Sequence, residues 1–408
     1  MTEEALPPAP DSVGTDRRTS LRELAFFFLR LGTTAFGGPA GHIAMMEDEL
    51  VRRRNWLSRE KFLDLLGASN LIPGPSSSEL AIHIGYLRAG WAGLLVAGIC
   101  FVLPAACMVA ALAWAYMRFG ALPAAAAILY GVKPVVIAVI LQALWGLGRA
   151  AVKTWPLAVG GLASLALAAF GLQPILLLVI VGAAVALVGS IFSSGEPKRA
   201  MQFAPLAALR PVVPRASSVA AAATGAAAIA APFSLLSLFL VFLKIGAVVF
   251  GSGYVLLAFL RADLVIQRGW LTDSQLVDAI AIGQVTPGPV FTTATFIGYL
   301  LAGARGAAVA TIGIFLPAFL LVAASGPLVP RIRESRIASL FLDGVIIASL
   351  ALMAVVTWQL ARASIVDVVT AMLAIASAIA LFRFRLNSAW LVLIGALAGW
   401  LVHLVWTS

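Results

Sequence analysis

The sequence predicts an all-α polytopic membrane protein of two homologous repeats in inverted topology, each with about five transmembrane helices and a re-entrant helical hairpin centred on Pro-Gly-Pro. Three observations lead there. Of 408 residues 62% are hydrophobic and 11% charged, with a mean hydropathy of +1.01, which is more apolar surface than a water-soluble core can hide. The chain also repeats itself. Leu29-Arg30-Leu31-Gly32 before Phe36-Gly37-Gly38 returns 214 residues later as Leu243-Lys244-Ile245-Gly246 before Phe250-Gly251-Ser252, and Pro73-Gly74-Pro75 returns as Pro287-Gly288-Pro289. Beyond that turn the offset is 213, as in Gly85-Tyr86-Leu87 against Gly298-Tyr299-Leu300. Finally, each Pro-Gly-Pro interrupts an apolar stretch, leaving arms too short to cross a bilayer.

Taken against a hydrocarbon core of about 30 Å, the first repeat, 21–192, offers spans near 23–46, 90–117, 122–148, 155–171 and 173–192. The second, 233–408, offers 233–260, 306–329, 337–361, 364–381 and 388–406. Residues 61–87 and 275–302 behave differently. In the first of these, two twelve-residue arms, each about 18 Å long if helical, flank the Pro-Gly-Pro, so a hairpin entering and leaving on one side is the natural solution. Residues 1–20 are polar, lack the apolar stretch of a cleavable signal, and read as a disordered tail. Residues 193–232, with Lys198, Arg199, Arg210 and Arg215, form the linker; its Ala-rich stretch 219–231 is short for a further span.

Five crossings and a hairpin place the second repeat upside down relative to the first. Seventeen cations, among them Arg52 to Arg54, Arg88, Arg149 and the linker group, then share one side, against eight on the other. The positive-inside rule makes the richer side cytoplasmic and accounts for the net charge of +10 without nucleic acid as a partner. Cys100 and Cys107 lie about 10 Å apart along one helix, too far for a disulfide. No Gly-rich phosphate loop, no Ser/His/acid grouping and no cluster with metal-ligand spacing occurs, so neither an enzyme nor a metal or other cofactor site is expected. Uphill transport would draw on an ion gradient or the membrane potential.

A Pro-Gly-Pro at membrane depth frees backbone groups, which is tolerated only against protein or a wet cavity. The helices that follow start near Ser76 and Val290, aiming unpaired amides and a positive dipole end at the membrane centre. Hydroxyls crowd both starts: Ser76, Ser77 and Ser78 in one, Thr292, Thr293 and Thr295 in the other, with Thr286 just before the second turn. They either donate to an oxyanion or bond back to carbonyls. Three cations lie within apolar spans and are functional candidates by default: Arg30, Lys133 and Lys244. Arg30 and Lys244 occupy matching positions, although Arg30 is near enough to its span's end to snorkel. Lys133, whose counterpart is Ile346, would bind substrate or neutralise an acid. Glu79 would exchange a proton or pair with Lys133 or Arg30, while Asp64 and Asp278 at the hairpin entrances would meet water or loop cations. Asn70 and Gln284, three residues before each turn, would reach a ligand or cap the broken arm. Phe36-Gly37-Gly38-Pro39, matched by Phe250-Gly251, ends a helical stretch and lets backbone pass close to the hairpin.

These motifs resemble the chromate ion transporter family in its long form of two fused domains. In the first half the likeness rests on Phe36-Gly37-Gly38-Pro39 with His42, on Arg52 to Trp56 and on Asn70 to Pro75. In the second it rests on Phe250-Gly251 with Gly253-Tyr254, on Gly269-Trp270-Leu271-Thr272, and on Thr286 to Pro289 before Gly298-Tyr299. The resemblance implies an inner-membrane carrier that exports chromate and so gives chromate resistance, driven by the membrane potential or a proton gradient, with sulfate as the look-alike anion. It leaves a coupling proton and a homodimer open. A sulfate or other oxyanion importer and a passive anion channel are the alternatives. Ser252 stands where a further glycine is common and Glu79 where some members carry glutamine, which bears on substrate preference and proton coupling.

Overall fold

The structure is a computed structural model that describes residues 19–36, 38–120, 122–152, 154–192, 233–250, 253–384, 386 and 388–407. The predicted tail (up to residue 18), the linker 193–232 with its stretch 219–231, and Gly37 and Gly251 lie outside the described residues. The described residues contain helices and no strand, and five of the helices are long and apolar enough to cross a membrane: this is a multi-pass, all-α membrane protein.

The first half runs α1 (Leu21–Thr34), α2 (Gly38–Glu47) with a π-helical extension (Asp48–Arg53), α3 (Arg59–Ser69), α4 (Ser76–Phe119), α5 (Pro123–Ala151), α6 (Trp155–Ala169) and α7 (Pro174–Phe192). The second runs α8 (Leu235–Val248), α9 (Leu256–Leu260) with its π-helical extension (Arg261–Gln267), α10 (Asp273–Val285), a 3-10 turn (Val290–Thr292), α11 (Thr293–Glu334), α12 (Arg336–Ser364), α13 (Val368–Phe384) and α14 (Ser388–Thr407). Apart from that 3-10 turn the order of elements is the same in both.

The spans predicted at 23–46 and 233–260 are not single helices. α1 and α8 have 14 residues each, about 21 Å, and stop at Ala35 and Val249 in extended backbone. In the first half the cause is local. Pro39 has no N–H and its ring would collide with the preceding turn, while Gly38 adopts φ +66°. A second correction concerns α4 and α11, which fold back sharply at Ala89–Gly90 and at Ala302–Gly303, with φ, ψ of 61°, −148° at Gly90 and 61°, −152° at Gly303. We call the pieces α4a (76–88), α4b (91–119), α11a (293–301) and α11b (304–334). At each fold two glycines touch, Gly85 on Gly93 and Gly298 on Gly306; a Cβ on any of the four would strike the partner's carbonyl oxygen.

The last three helices of each half find their partners in the other. α5 packs on α13 and α14, and α12 packs on α6 and α7. The crossings use small residues, Gly131 against Gly395 and Gly399, and Gly344 against Gly182, which lets backbones approach where lipid gives no hydrophobic drive for association. α4 and α11 meet at the centre, and α1 and α8 lie on them through Gly32 against the Phe101 carbonyl and Gly246 against the Ile314 carbonyl.

Candidate functional site

The two Pro-Gly-Pro elbows and the two helix breaks are joined crosswise. Gly74 N–H donates to the Val249 carbonyl at 2.7 Å, and Gly288 N–H donates to the Ala35 carbonyl at 2.9 Å. Ala35 and Val249 are the counterpart residues at which α1 and α8 end, so each elbow closes on the break of the other half. Each also rests on the other half's long helix, Gly74 beside Ala318 and Gly288 beside Ala105. With φ of +139° and +95° both positions need glycine. Pro73 to Pro75 and Pro287 to Pro289 take no part in helices, as expected of residues lacking an N–H or fixed out of helical φ.

His42, on α2, ties this centre together. Its ring lies 3.2 Å from Ser77 Oγ and 3.2 Å from the Ala35 carbonyl. Gly38 faces the Tyr254 hydroxyl, which donates to Gln284 Oε1 at 3.4 Å. Ser76, Ser77, Ser78, Thr292 and Thr293 are all buried at the helix starts. The second start is internally satisfied: Thr286, Thr292 and Thr293 donate to the carbonyls of Ile282, Pro289 and Val290, and Thr295 pairs with Thr311. The first is not. Among the described residues Ser78 Oγ, both carboxylate oxygens of Glu79, and Gln284 Nε2 are buried without a hydrogen-bond partner, as are single atoms of Arg268, Asp278, Ser349 and Ser364 elsewhere. Glu79 is 0% exposed, lies against Gly74, and has Thr292 as its counterpart. Orphaned buried polar atoms are rare in native folds, and those of Ser78, Glu79 and Gln284 stand at the elbows.

The cations are placed differently from one another. Lys133 Nζ lies 3.1 Å from Asp278 Oδ1 and donates to Ser274 Oγ at 2.8 Å, while Tyr116 donates to Asp278 Oδ2 at 3.0 Å. Asp278, expected beside water or loop cations, is instead 3% exposed and held across the two halves by Lys133. Nine residues separate it from Pro287, about 13 Å along a helix, so Lys133 is turned toward the hairpin entrance. Lys244 forms an ion pair with the buried Asp263. Arg30 is exposed and, among the described residues, forms no ion pair. It lines a cavity of about 330 Å³ with Thr34, Asp48, Glu49 and Arg53. Glu49, the counterpart of Asp263, is taken instead by Arg54 at 2.9 Å.

Asn70 caps α3 but is exposed, unlike Gln284 in the other half. Phe36 is 41% exposed and Phe250 half-buried, so neither closes the centre. Asp263 was missed from the sequence, although an acid at the matching position, Glu49, was there to be noticed. The roles of His42 and Tyr254 as braces between breaks and elbows carried no local signal.

Comparison with known proteins agrees with this architecture. The family model described as Chromate transporter matches residues 22–188 and again 236–400, one match in each half. The "Chromate transport protein" of Cupriavidus metallidurans is 35% identical over 95% of this chain and 94% of its own length. The "Probable chromate transport protein" of Synechococcus elongatus is 33% identical over 93% and 95%, and the "Chromate transport protein" of Pseudomonas aeruginosa 33% identical over 98% and 95%. No solved structure matches the chain. A duplicated match of this extent, together with relatives alike from end to end, makes the protein a member of the chromate transporter family.

Proposed function

We propose that the protein is a secondary active transporter that exports chromate across the plasma membrane and thereby gives chromate resistance. In this reading the repeats 21–192 and 233–408 lie inverted in the bilayer, joined by 193–232, and each contributes one re-entrant hairpin to a shared site at the midplane. The observation that carries it is the set of orphaned donors at the crosslinked elbows, Ser78 Oγ and Gln284 Nε2, beside the starts of two half-helices. A buried donor left unmet costs about 1–3 kcal/mol, and a tetrahedral oxyanion has acceptors for both. Arg30 gathers the anion from the cavity it lines and hands it to the elbows, where amides and dipole ends take over. Lys133 and Lys244 act indirectly, neutralising Asp278 and Asp263 so that no carboxylate on α10 or behind α9 repels the anion. Relatives spanning nearly the whole chain are named for chromate transport, which favours chromate over other oxyanions of the same shape.

Counterflow in proteoliposomes tests this. Vesicles preloaded with chromate should trap labelled chromate with saturable kinetics, and sulfate or molybdate should compete less well than unlabelled chromate. Absence of chromate counterflow refutes the reading, stronger trapping of sulfate turns it into sulfate transport, and unsaturable currents make the protein a channel.

A further inference from the structure

Glu79 is the one group at the elbows whose chemistry an anion site does not explain. A carboxylate there would repel a dianion, yet the residue is fully buried on the fourth position of α4a, against Gly74, and neither oxygen has a partner among the described residues. Four residues on, about 6 Å along the same face, stands His83, itself 7% exposed, with its ring nitrogen 3.4 Å from Ser325 Oγ on α11b. The two form a buried titratable row from the elbow toward the end of α4a, where Arg88 holds Thr19 and the Trp56 carbonyl.

Among the described residues no other charge competes for Glu79. α2 presents His42, which is engaged by Ser77 and Ala35. α3 carries Asp64, which is exposed, and α1 carries Glu23 and Arg30, both exposed. α11 presents Ala318 and Ser325, its Arg305 being exposed. On α8 and α10, Lys244 and Asp278 are committed to their own ion pairs. An unpaired carboxylate in such surroundings is costly when the site is empty of a cation, and the protonated form is a hydrogen-bond donor. It then joins Ser78 and Gln284 as a third donor to the same oxyanion. Proton and anion therefore favour each other's presence.

We propose that Glu79 carries one proton with each oxyanion across the membrane, loaded and unloaded through His83. The proton passes from water to a ring nitrogen of His83, from there to a carboxylate oxygen of Glu79, and returns by the same row on release; the oxyanion stays fully deprotonated throughout. This rests on the transport reading above. The coupling is co-transport, proton and anion in the same direction, and one proton leaves the moving unit with a net negative charge.

The test uses reconstituted protein at clamped voltage, on the alkaline side where the oxyanion holds no proton. Wild-type vesicles with the outside more acidic by about one pH unit should accumulate chromate about tenfold, the ratio one coupled proton supports, and a trapped pH dye should report luminal acidification on chromate entry. In Glu79→Gln, normalised to its own uptake without a gradient, the stimulation should fall to about onefold and the dye signal should vanish. His83→Gln should slow proton entry while leaving the limiting accumulation as in wild type. A wild-type protein that moves chromate without moving protons overturns the proposal, as does a Glu79→Gln protein that still responds to the gradient. A Glu79→Gln protein that inserts but transports nothing under either condition also overturns it, because Gln keeps a hydrogen-bond donor for the anion and a total loss would make Glu79 a packing residue. Failure of wild-type uptake altogether would instead strike the transport reading.

Discussion

Gly288→Ala should be among the most damaging small substitutions in the chain, and its cost can be built from the geometry. The residue sits at φ +95°, where an L side chain costs about 1–2 kcal/mol. A Cβ there would stand 2.5 Å from Ala105 Cβ and 3.1 Å from the Gly32 carbonyl oxygen. Carbon atoms prefer about 3.5–4.0 Å, so elbow and α4b must part by about 1 Å, an overpacking penalty of about 1–3 kcal/mol. That displacement also pulls Gly288 N–H from the Ala35 carbonyl. The sum is about 2–5 kcal/mol. Because strain and collision are separate, Ala105→Gly should return about 1–3 kcal/mol in the double variant and leave the φ term behind. Gly90→Ala is the control: φ, ψ are 61°, −148° with nothing within 4 Å of a Cβ, so only backbone strain of about 1–3 kcal/mol is expected. Equilibrium unfolding in mixed micelles measures all four. The reasoning fails if Gly288→Ala lies within about 0.5 kcal/mol of the parent, or if Ala105→Gly restores nothing.

Three further outcomes are expected. Lys133→Met strands Asp278 and should cost about 3–5 kcal/mol, while Lys133→Met with Asp278→Asn should recover most of it and still transport; a double variant that is stable but inert would make Lys133 a substrate ligand. Arg30→Gln should raise the chromate KM by about tenfold, the loss of one charge-assisted hydrogen bond, with little change in unfolding midpoint. Lys244→Gln should do the reverse, because it leaves Asp263 unpaired, and vesicle uptake alongside thermal unfolding separates the two.

How much of this was legible in the sequence depended on whether a feature is local and doubled. The elbows were, because Pro-Gly-Pro has few structural solutions and occurs twice at one offset. The pairing of elbow with the opposite break was not: Gly74 and Val249 are joined by main-chain atoms, which leave no mark on side-chain choice. Nor were the breaks visible in hydropathy. Ala35 and Val249 lie inside apolar runs, and interrupting a helix there changes hydrogen bonding while leaving polarity as it was. Lys133 illustrates a third case. Its acid, Asp278, belongs to the other half and is reached only because α5 and α10 pack together, so no window along the chain contains both. Lys244 and Asp263, 19 residues apart, were within reach of a reading that compared acids as well as cations between halves.

The difference between the two elbows matters to energetics as much as their likeness. A dianion leaving a cell gains about 4.6 kcal/mol per 100 mV of potential, at about 2.3 kcal/mol per charge. With one proton aboard, one net charge remains and the gain is about 2.3 kcal/mol, opposed by about 1.4 kcal/mol for each pH unit of inward proton gradient. The drive stays outward but is small. A second acid at the matching position would carry a second proton, cancel the charge and remove the voltage term altogether. That position is Thr292, whose hydroxyl is spent on the Pro289 carbonyl. If Glu79 carries a proton as proposed, a single acid lowers the charge taken through the low-dielectric centre while still letting the membrane potential set the direction.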